Sequence, residues 1–308
     1  MRSALHLSKA EVSPRVSAKN HRQTRGGGAA WPYFMPAVVV FTIIVVVPIL
    51  WTLVVSLFKW NGIGGMKFAG LANFQHMISD PVFRQAFVNN LIFTLLGTCA
   101  QMFGGLVMSL LLICIEHFRN FMRTVYFVPC VISSVAISQI FSQLLAVSPP
   151  GVFNSIIQAF GGQPHAFLSD PKLALVLVTL IDAYKFAGIY MVIYYAALQS
   201  VDQEVLEAAL IDGCNWWQQL IYIRIPLIRA VVEVSMVMLV SGCLKGFDVS
   251  YVLTAGGPGS SSELVSTYLY KTIFLSGNFG YGSAISVFLA VECLVAIWIL
   301  RKLFGKDE

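Results

Sequence analysis

The sequence predicts an all-α polytopic membrane protein with six transmembrane helices. Two observations carry this, and a third sets orientation. Hydrophobic residues make up 57% of the chain and charged residues only 11%, against about a quarter charged in ordinary soluble domains. Six mostly apolar stretches reach the roughly 20 residues that a helix needs to cross about 30 Å of hydrocarbon. Basic residues cluster on alternate sides of those stretches. Such a composition excludes a disordered chain. It also argues against a soluble enzyme, which must cover itself with polar groups. The net charge of +5 is a topology signal rather than a nucleic-acid footprint.

The predicted spans lie near Pro32–Phe58, Val88–Ile115, Phe121–Val147, Leu173–Gln199, Ile228–Leu253 and Ser283–Leu303. Small residues within them, such as Gly97, Gly104 and Gly105, are expected to let helices approach closely. With the N-terminus inside, the inner segments carry Arg2, Lys9, Arg15, Lys19, Arg22 and Arg25, then Arg119, Arg123, Arg224, Arg229, Arg301, Lys302 and Lys306. The outer loops carry Lys59, Lys67, Arg84, Lys172 and Lys271. This 13-to-5 bias places both termini in the cytoplasm.

Residues 1–30 lack the apolar core of a cleavable signal peptide. They read as a solvated basic cytoplasmic tail, with Gly26–Gly28 as a flexible joint and an anionic membrane surface as a second possible role. Residues 31–308 form the membrane domain. Cys99, Cys114, Cys130, Cys214, Cys243 and Cys293 include no CxxC pair and none falls in an outer loop. They read as small buried apolar groups, not as a disulfide framework or metal site.

The segment at about 200–227 is too polar to span. Asp202 is placed to cap a short helix carrying Val205, Leu206, Ala209 and Leu210. Gly213 permits a sharp turn. A second short helix then presents Trp216, Trp217, Leu220 and Ile221, and Pro226 ends it or starts the next span. Spacing alone leaves two readings open. One is a rigid knob whose Ala208 and Ala209 let another protein come close, and the other is an interfacial loop anchored by tryptophans.

These residues carry a resemblance. Glu207-Ala208-Ala209, Asp212-Gly213 and Ile225-Pro226 resemble the EAA signature of binding-protein-dependent ABC importer permeases. Gly70-Leu71-Ala72-Asn73-Phe74, Arg123-Thr124-Val125-Tyr126-Phe127-Val128-Pro129, Leu253-Thr254-Ala255-Gly256-Gly257-Pro258 and Phe279-Gly280-Tyr281-Gly282 agree with it. The resemblance covers about residues 30–305. It is to the sugar-transport branch, of the type that includes the maltose permeases. Cys214, Val201-Asp202 and Ile225 depart from the usual pattern, at loop positions and conservatively.

The resemblance implies a type I ABC importer permease fold in a bacterial cytoplasmic (inner) membrane. It implies a carbohydrate solute, a second permease subunit completing the pathway, two cytoplasmic ATPase subunits and an extracytoplasmic substrate-binding protein. Glu207, Ala208, Ala209, Asp212 and Gly213 would couple the chain to an ATPase. The short segment after the last span points to the first of two permease types and to a heterodimer. No Gly-x-x-x-x-Gly-Lys-Ser/Thr occurs in the sequence. The expected cofactor list for this chain is therefore empty, with ATP and magnesium held by the partners.

Ionisable groups within spans are costly and usually face a bundle interior or watery cavity. Asp182 and Lys185 are three residues apart, as are Lys245 and Asp248, a spacing that puts each pair on one helix face. They read either as self-neutralising pairs or as lining of a solute path with Tyr184 as a stacking surface. Hydroxyl-rich solutes need such donors and acceptors. Glu292 stands isolated in the sixth span, and Glu116 near the inner end of the second. Asn73–Arg84 and Leu253–Gly282 are outer loops that read either as surfaces meeting a soluble binding protein or as passive surface loops. An ion-coupled secondary transporter is the competing reading, but neither an internal repeat nor paired broken helices is evident. The five histidines are scattered through tails and loops, which disfavours a membrane-embedded enzyme.

Overall fold

The structure, a computed structural model, describes residues 31–115 and 117–304, with side chains from Phe34 onward. The predicted basic tail, Glu116 and residues 305–308 lie outside the described residues. Contacts divide the chain into residues 1–49 and 50–308. Along the chain α1 (Trp31–Phe41) runs through a π-helical turn into α2 (Val47–Val55). Phe34–Val55 is a helix of 22 residues, apolar on every side as lipid solvation requires.

The expected first span reached Phe58, but the helix ends at Val55. Phe58–Lys59 (β1) instead pairs antiparallel with Lys67–Phe68 (β2). α3 (Ala72–Ser79) follows. Its Asn73 amide donates to the carbonyls of Ser56 (2.8 Å) and Phe58 (2.9 Å). The expected surface piece Asn73–Arg84 is thus divided. Asp80 caps α4 (Pro81–Cys114), a helix of 34 residues that takes in Arg84. At about 1.5 Å per residue α4 is some 50 Å long, more than a bilayer core needs.

The third expected span is not one helix. α5 (Arg119–Val131) and α6 (Ser134–Leu144) meet at 96°. Pro129 lacks an N–H and weakens the last turn of α5, and Ile132 and Ser133 are extended. α7 (Val152–Ala159) is held by buried Asn154, whose amide donates to the carbonyls of Leu145, Ala146 and His165. α8 (Ala174–Gln199) is the expected fourth span. Next come α9 (Gln203–Ile211), α10 (Trp216–Gln219), a π-turn (Leu220–Arg224) and α11 (Ile225–Leu227).

The fifth span is interrupted. α12 (Arg229–Leu244) stops at Lys245, and α13 (Asp248–Thr254) resumes after a break. At the break a Cβ on Gly246 would lie 2.8 Å from the Phe93 ring, and Ser266 Oγ donates to the Gly246 carbonyl. The expected outer loop Leu253–Gly282 contains α14 (Val265–Tyr270) and a π-turn (Lys271–Leu275), and α15 (Phe279–Phe304) follows. Much of this loop is buried: Ser262 to Thr267 all lie inside. It is a structural insert more than a free surface. Asn89 of α4 donates to the carbonyls of Ser260 and Glu263 (both 3.0 Å). The Glu263 carboxylate pairs with Lys271 and accepts from Thr267. Gly256 (φ +81°) leaves the space that this carboxylate fills.

α4 and α8 form the central pairing of residues 50–308, with α5, α12 and α15 around them. Gly105 permits it, because a Cβ there would sit 2.8 Å from Tyr190 Cβ. Gly188 performs the same service toward α5, where a Cβ would meet the Tyr126 carbonyl at 2.5 Å. The expectation that Gly97, Gly104 and Gly105 serve helix packing agrees with Gly97 against Cys243 and Gly104 against Ala187. The two ends of α4 differ. Its start packs with α3, α14 and the start of α15 through Met77, Phe83, Val265, Tyr281 and Ile285. Its finish lies beside the finish of α8, where Leu110 and Ile113 meet Ala197, Leu198 and Ile228.

Asp80 ties the first of these ends together. Its carboxylate accepts from Tyr268 Oη, from Tyr281 Oη (2.7 Å) and from the backbone N–H groups of Val82 (2.9 Å) and Phe83 (3.4 Å). Burial pushes the carboxyl upward, but these four donors together outweigh it and hold it below the usual carboxylate range. Asp80→Ala is therefore expected to cost about 1–2 kcal/mol at neutral pH, the upper part of the range for a lost N-cap. The lowered carboxyl stabilises the fold at pH values above the unfolded value of about 3.9. That contribution is lost as pH falls through the folded value. Thermal melts of wild type and variant in one detergent should converge as the pH drops below about 4.

Candidate functional site

The expected coupling segment folds as two short helices around a sharp turn. Asp202 Oδ1 accepts from the Glu204 N–H (3.1 Å) and starts α9. α9 ends in a Schellman motif: Gly213 N–H donates to the Leu210 carbonyl (3.0 Å) and Cys214 N–H to the Ala209 carbonyl (2.9 Å). Gly213 sits at φ +81° with open space around it, so its conformation is what the turn demands. A capping box then opens α10. Asn215 Oδ1 accepts from the Gln218 N–H (2.9 Å), and Gln218 Oε1 accepts from the Asn215 N–H (2.8 Å). Both ends of the turn are closed by local bonds, so the pair of helices is rigid without help from a neighbour.

Burial sorts the residues of this knob. Leu206 and Ala209 face the body, while Glu207, Ala208, Leu210 and Asp212 face out. Ala209 therefore does not offer the close-approach surface expected of it, because on α9 it lies one turn from Leu206 on the inner face. Of the expected stripe on the second helix only Leu220 is buried, and Trp216, Trp217 and Ile221 are exposed. Gln219 is buried instead, its amide donating to the Cys214 carbonyl. The free face carries Glu207 and Asp212 among Leu210, Ile211 and Trp217, with Ile211 86% exposed. Pro226 neither ends the second helix nor starts the span; it lies inside α11, two residues past the π-turn.

The structure separates the expected charged pairs. Asp182 and Lys185 share α8 and both are buried, yet they do not bind each other. Asp182 accepts from the Gln101 amide of α4 (3.3 Å). Lys185 Nζ donates to the carbonyls of Ile132 (3.0 Å) and Cys130 (3.4 Å) at the bend between α5 and α6. It also lies 4.6 Å from the centre of the Phe186 ring. Lys185 thus serves the carbonyls that a broken helix leaves without N–H partners. Lys245 and Asp248 do not share a helix face, because the chain leaves the helix between them. Both are exposed, and Asp248 lies 3.5 Å from Ser134 Oγ at the start of α6. Tyr184 is half-exposed, edge-on to Phe141.

Sequence reasoning missed two groups. One is the polar stripe of α4: Asn90, Thr94, Thr98 and Gln101 are all buried toward α8 and α12. Gln101 also contacts Cys243, and Asn90 donates to the Leu244 carbonyl. Their spacing of three to four residues is a helical period that the sequence displayed. The other is the aromatic run beside the break. Phe247 and Tyr251 stack at 5.1 Å, and Tyr270 lies 5.3 Å and 5.0 Å from them. No local signal joins Tyr270 to the other two, 19 and 23 residues before it. Glu292 lines a groove of about 560 Å³ with Phe87, Leu91, Val240 and Phe288, and neither of its carboxyl oxygens has a hydrogen-bond partner among the described residues. Among these residues no group of three or more His, Cys, Asp or Glu could hold a metal ion.

A freestanding capped knob at the finish of α4 and α8, on a bundle of long apolar helices, is the architecture of a transport permease. Residues 31–305 match the family described as binding-protein-dependent transport system inner membrane component, and the chain belongs to that family. It is 34% identical to the probable ABC transporter permease protein YurN of Bacillus subtilis, over 90% of this chain and 97% of that one. It is 31% identical to the lactose transport system permease protein LacF of Rhizobium radiobacter, over 96% and 99%. The fold resembles a chain of a bacterial ABC transporter involved in import of the acidic polysaccharide alginate. There the TM-score is 0.81 at 22% identity, covering 91% of this chain and 96% of that one.

Two variants probe the geometry. Lys185→Met would leave two carbonyls at the bend without their donor, at about 1–3 kcal/mol. It should lower the melting temperature of the purified chain. Gly213→Ala would place a Cβ at positive φ in open space, costing about 1–2 kcal/mol by strain alone. Protease cutting within 200–227 should rise in that variant while the melting of the helical body stays unchanged.

Proposed function

We propose that the chain forms half of the translocation pathway of an ATP-driven importer for a carbohydrate. The observation that carries this is the knob. A rigid, locally closed pair of helices bearing exposed Glu207, Ala208, Asp212 and apolar side chains is built to be gripped and moved by another protein. In this reading the knob sits in a groove on one of two cytoplasmic ATPase subunits, which bind ATP and magnesium. The chain itself is not an enzyme. Both termini and the knob are cytoplasmic, consistent with the basic bias, and α3 lies on the outer side. Glu207 fixes register against a basic or polar partner more than it adds affinity.

Lactose and alpha-glucoside transport appear in the names of relatives, which supports a sugar-type solute and an extracytoplasmic binding protein to deliver it. A second permease subunit completes the path. The accessible path groups are Tyr184, Lys245 and Asp248, with the rings of Phe247 and Tyr251 as a stacking surface. Asp182 and Lys185 act beneath them, one held by Gln101 and the other holding the bend between α5 and α6.

The test is co-purification of the tagged chain from membranes with the products of neighbouring genes, beside uptake into vesicles. Wild type should retain an ATPase. Gly213→Asp should lose it, and Glu207→Ala should lower ATP-dependent uptake by about tenfold, the equivalent of 1.4 kcal/mol. A chain that purifies without any ATPase and moves solute in ATP-free vesicles under an ion gradient would instead be a secondary transporter.

A further inference from the structure

At the root of the knob lies a second site that the coupling role does not use. A pocket of about 410 Å³ opens where α4, α5, α8, α9 and the π-turn meet, lined by Arg119, Arg224, Gln199, Gln203, Ile113 and Leu206 among others. No acidic side chain among the described residues lines it. Both arginines are partly buried. Arg119 uses its Nε on the Ile115 carbonyl (2.9 Å), which leaves its terminal nitrogens to other acceptors. The Arg224 guanidinium has no hydrogen-bond or ion-pair partner among the described residues. Gln199 is engaged with Tyr195 Oη (2.6 Å), while the Gln203 amide has no such partner among the described residues.

Two partly buried guanidinium forks, with no carboxylate between them among the described residues, call for an anion. A carboxylate offers two oxygens and is satisfied by a single fork. A phosphate group offers a tetrahedral set of acceptors that two forks and an amide can share. We propose that this pocket binds a phosphate-type anion through Arg119 and Arg224, with Gln203 as an added donor. Because Gln203 and Leu206 belong to α9, while Ile113 and Gln199 belong to the ends of α4 and α8, an occupant braces the knob against the helical body. Two sources share this chemistry: the headgroup of an anionic phospholipid in the adjoining leaflet, and a soluble phosphate compound. The inference rests on the functional reading only in placing the pocket at the inner leaflet.

Native mass spectrometry of the purified importer, released from detergent micelles containing phosphatidylglycerol or phosphatidylcholine, reads the occupant on the permease chain itself. That reading is independent of whether ATPase subunits stay bound, so failure of the assembly and failure of the site are separately visible. Wild type should retain phosphatidylglycerol over phosphatidylcholine. Arg119→Gln with Arg224→Gln should lower retention by about tenfold, the loss of one strong charge-assisted contact or more. Arg301→Gln, outside the pocket, should retain the wild-type level. Arg119→Lys with Arg224→Lys keeps both charges without the forks, and should fall between. If phosphatidylglycerol is not preferred but wild type takes up radiolabelled inorganic phosphate in equilibrium dialysis, and the double glutamine variant does not, the soluble source is the right one. Equal binding of both probes by wild type and the double glutamine variant would overturn the proposal.

Discussion

Lys185 carries the bend on which the third span depends. Hydrocarbon offers no water to backbone groups, so a helix can break within it only where something else takes up the freed carbonyls. The bend between α5 and α6 leaves the carbonyls of Cys130 and Ile132 open, and an ammonium from α8 meets both. The break in the fifth span obeys the same rule by neutral means: Ser266 serves the Gly246 carbonyl, and Asn90 serves that of Leu244. The buried insert after α13 is held by Asn89, Thr267 and the Glu263–Lys271 pair. Polar residues in these spans are therefore first of all the means by which non-helical backbone is kept at depth. Exposed Asp248 owes its position at the start of α13 to the second of those breaks.

This scheme needs α8 to stand very close to its neighbours. Gly105 and Gly188 remove the side chains that would separate α8 from α4 and α5. Close contact brings the Gln101 amide to Asp182 and the Lys185 ammonium to the bend. The same two helices, α4 and α8, finish side by side beneath the knob. Leu206 of α9 lines one pocket with Ile113 and Leu198 from the ends of these two helices. The Schellman turn and capping box hold the knob's shape locally, since their bonds close within residues 209–218.

Much of this was legible in order along the chain. Five helices long and apolar enough to span match expected spans, and the bent pair α5 and α6 occupies the place of the third. The Asp202 cap and the Gly213 turn were readable because caps and turns depend on residues close in sequence. The family was readable for a similar reason, since its signature is a local string. What misled was helical spacing carried across breaks. Lys245 and Asp248 are three apart, but the chain is not helical between them. Asp182 and Lys185 do share a helix, yet each finds a partner on another element. Ala209 was legible as small but not as buried, because the burial of a helix face depends on what lies against it.

The sequence by itself determined the class of protein, the number and place of the apolar stretches, and the local construction of the knob. Each of these depends on composition or on residues a few positions apart. Only the tertiary structure decided where helices break, which carbonyls need a donor, and which charged group supplies it. The physical reason is distance along the chain: the Lys185 contact at the bend joins residues 53 positions apart, and the Asn89 contact to the insert joins residues 171 apart. No local pattern encodes such pairs; the packing of α5 on α8, and of the insert on α4, brings them within hydrogen-bond reach.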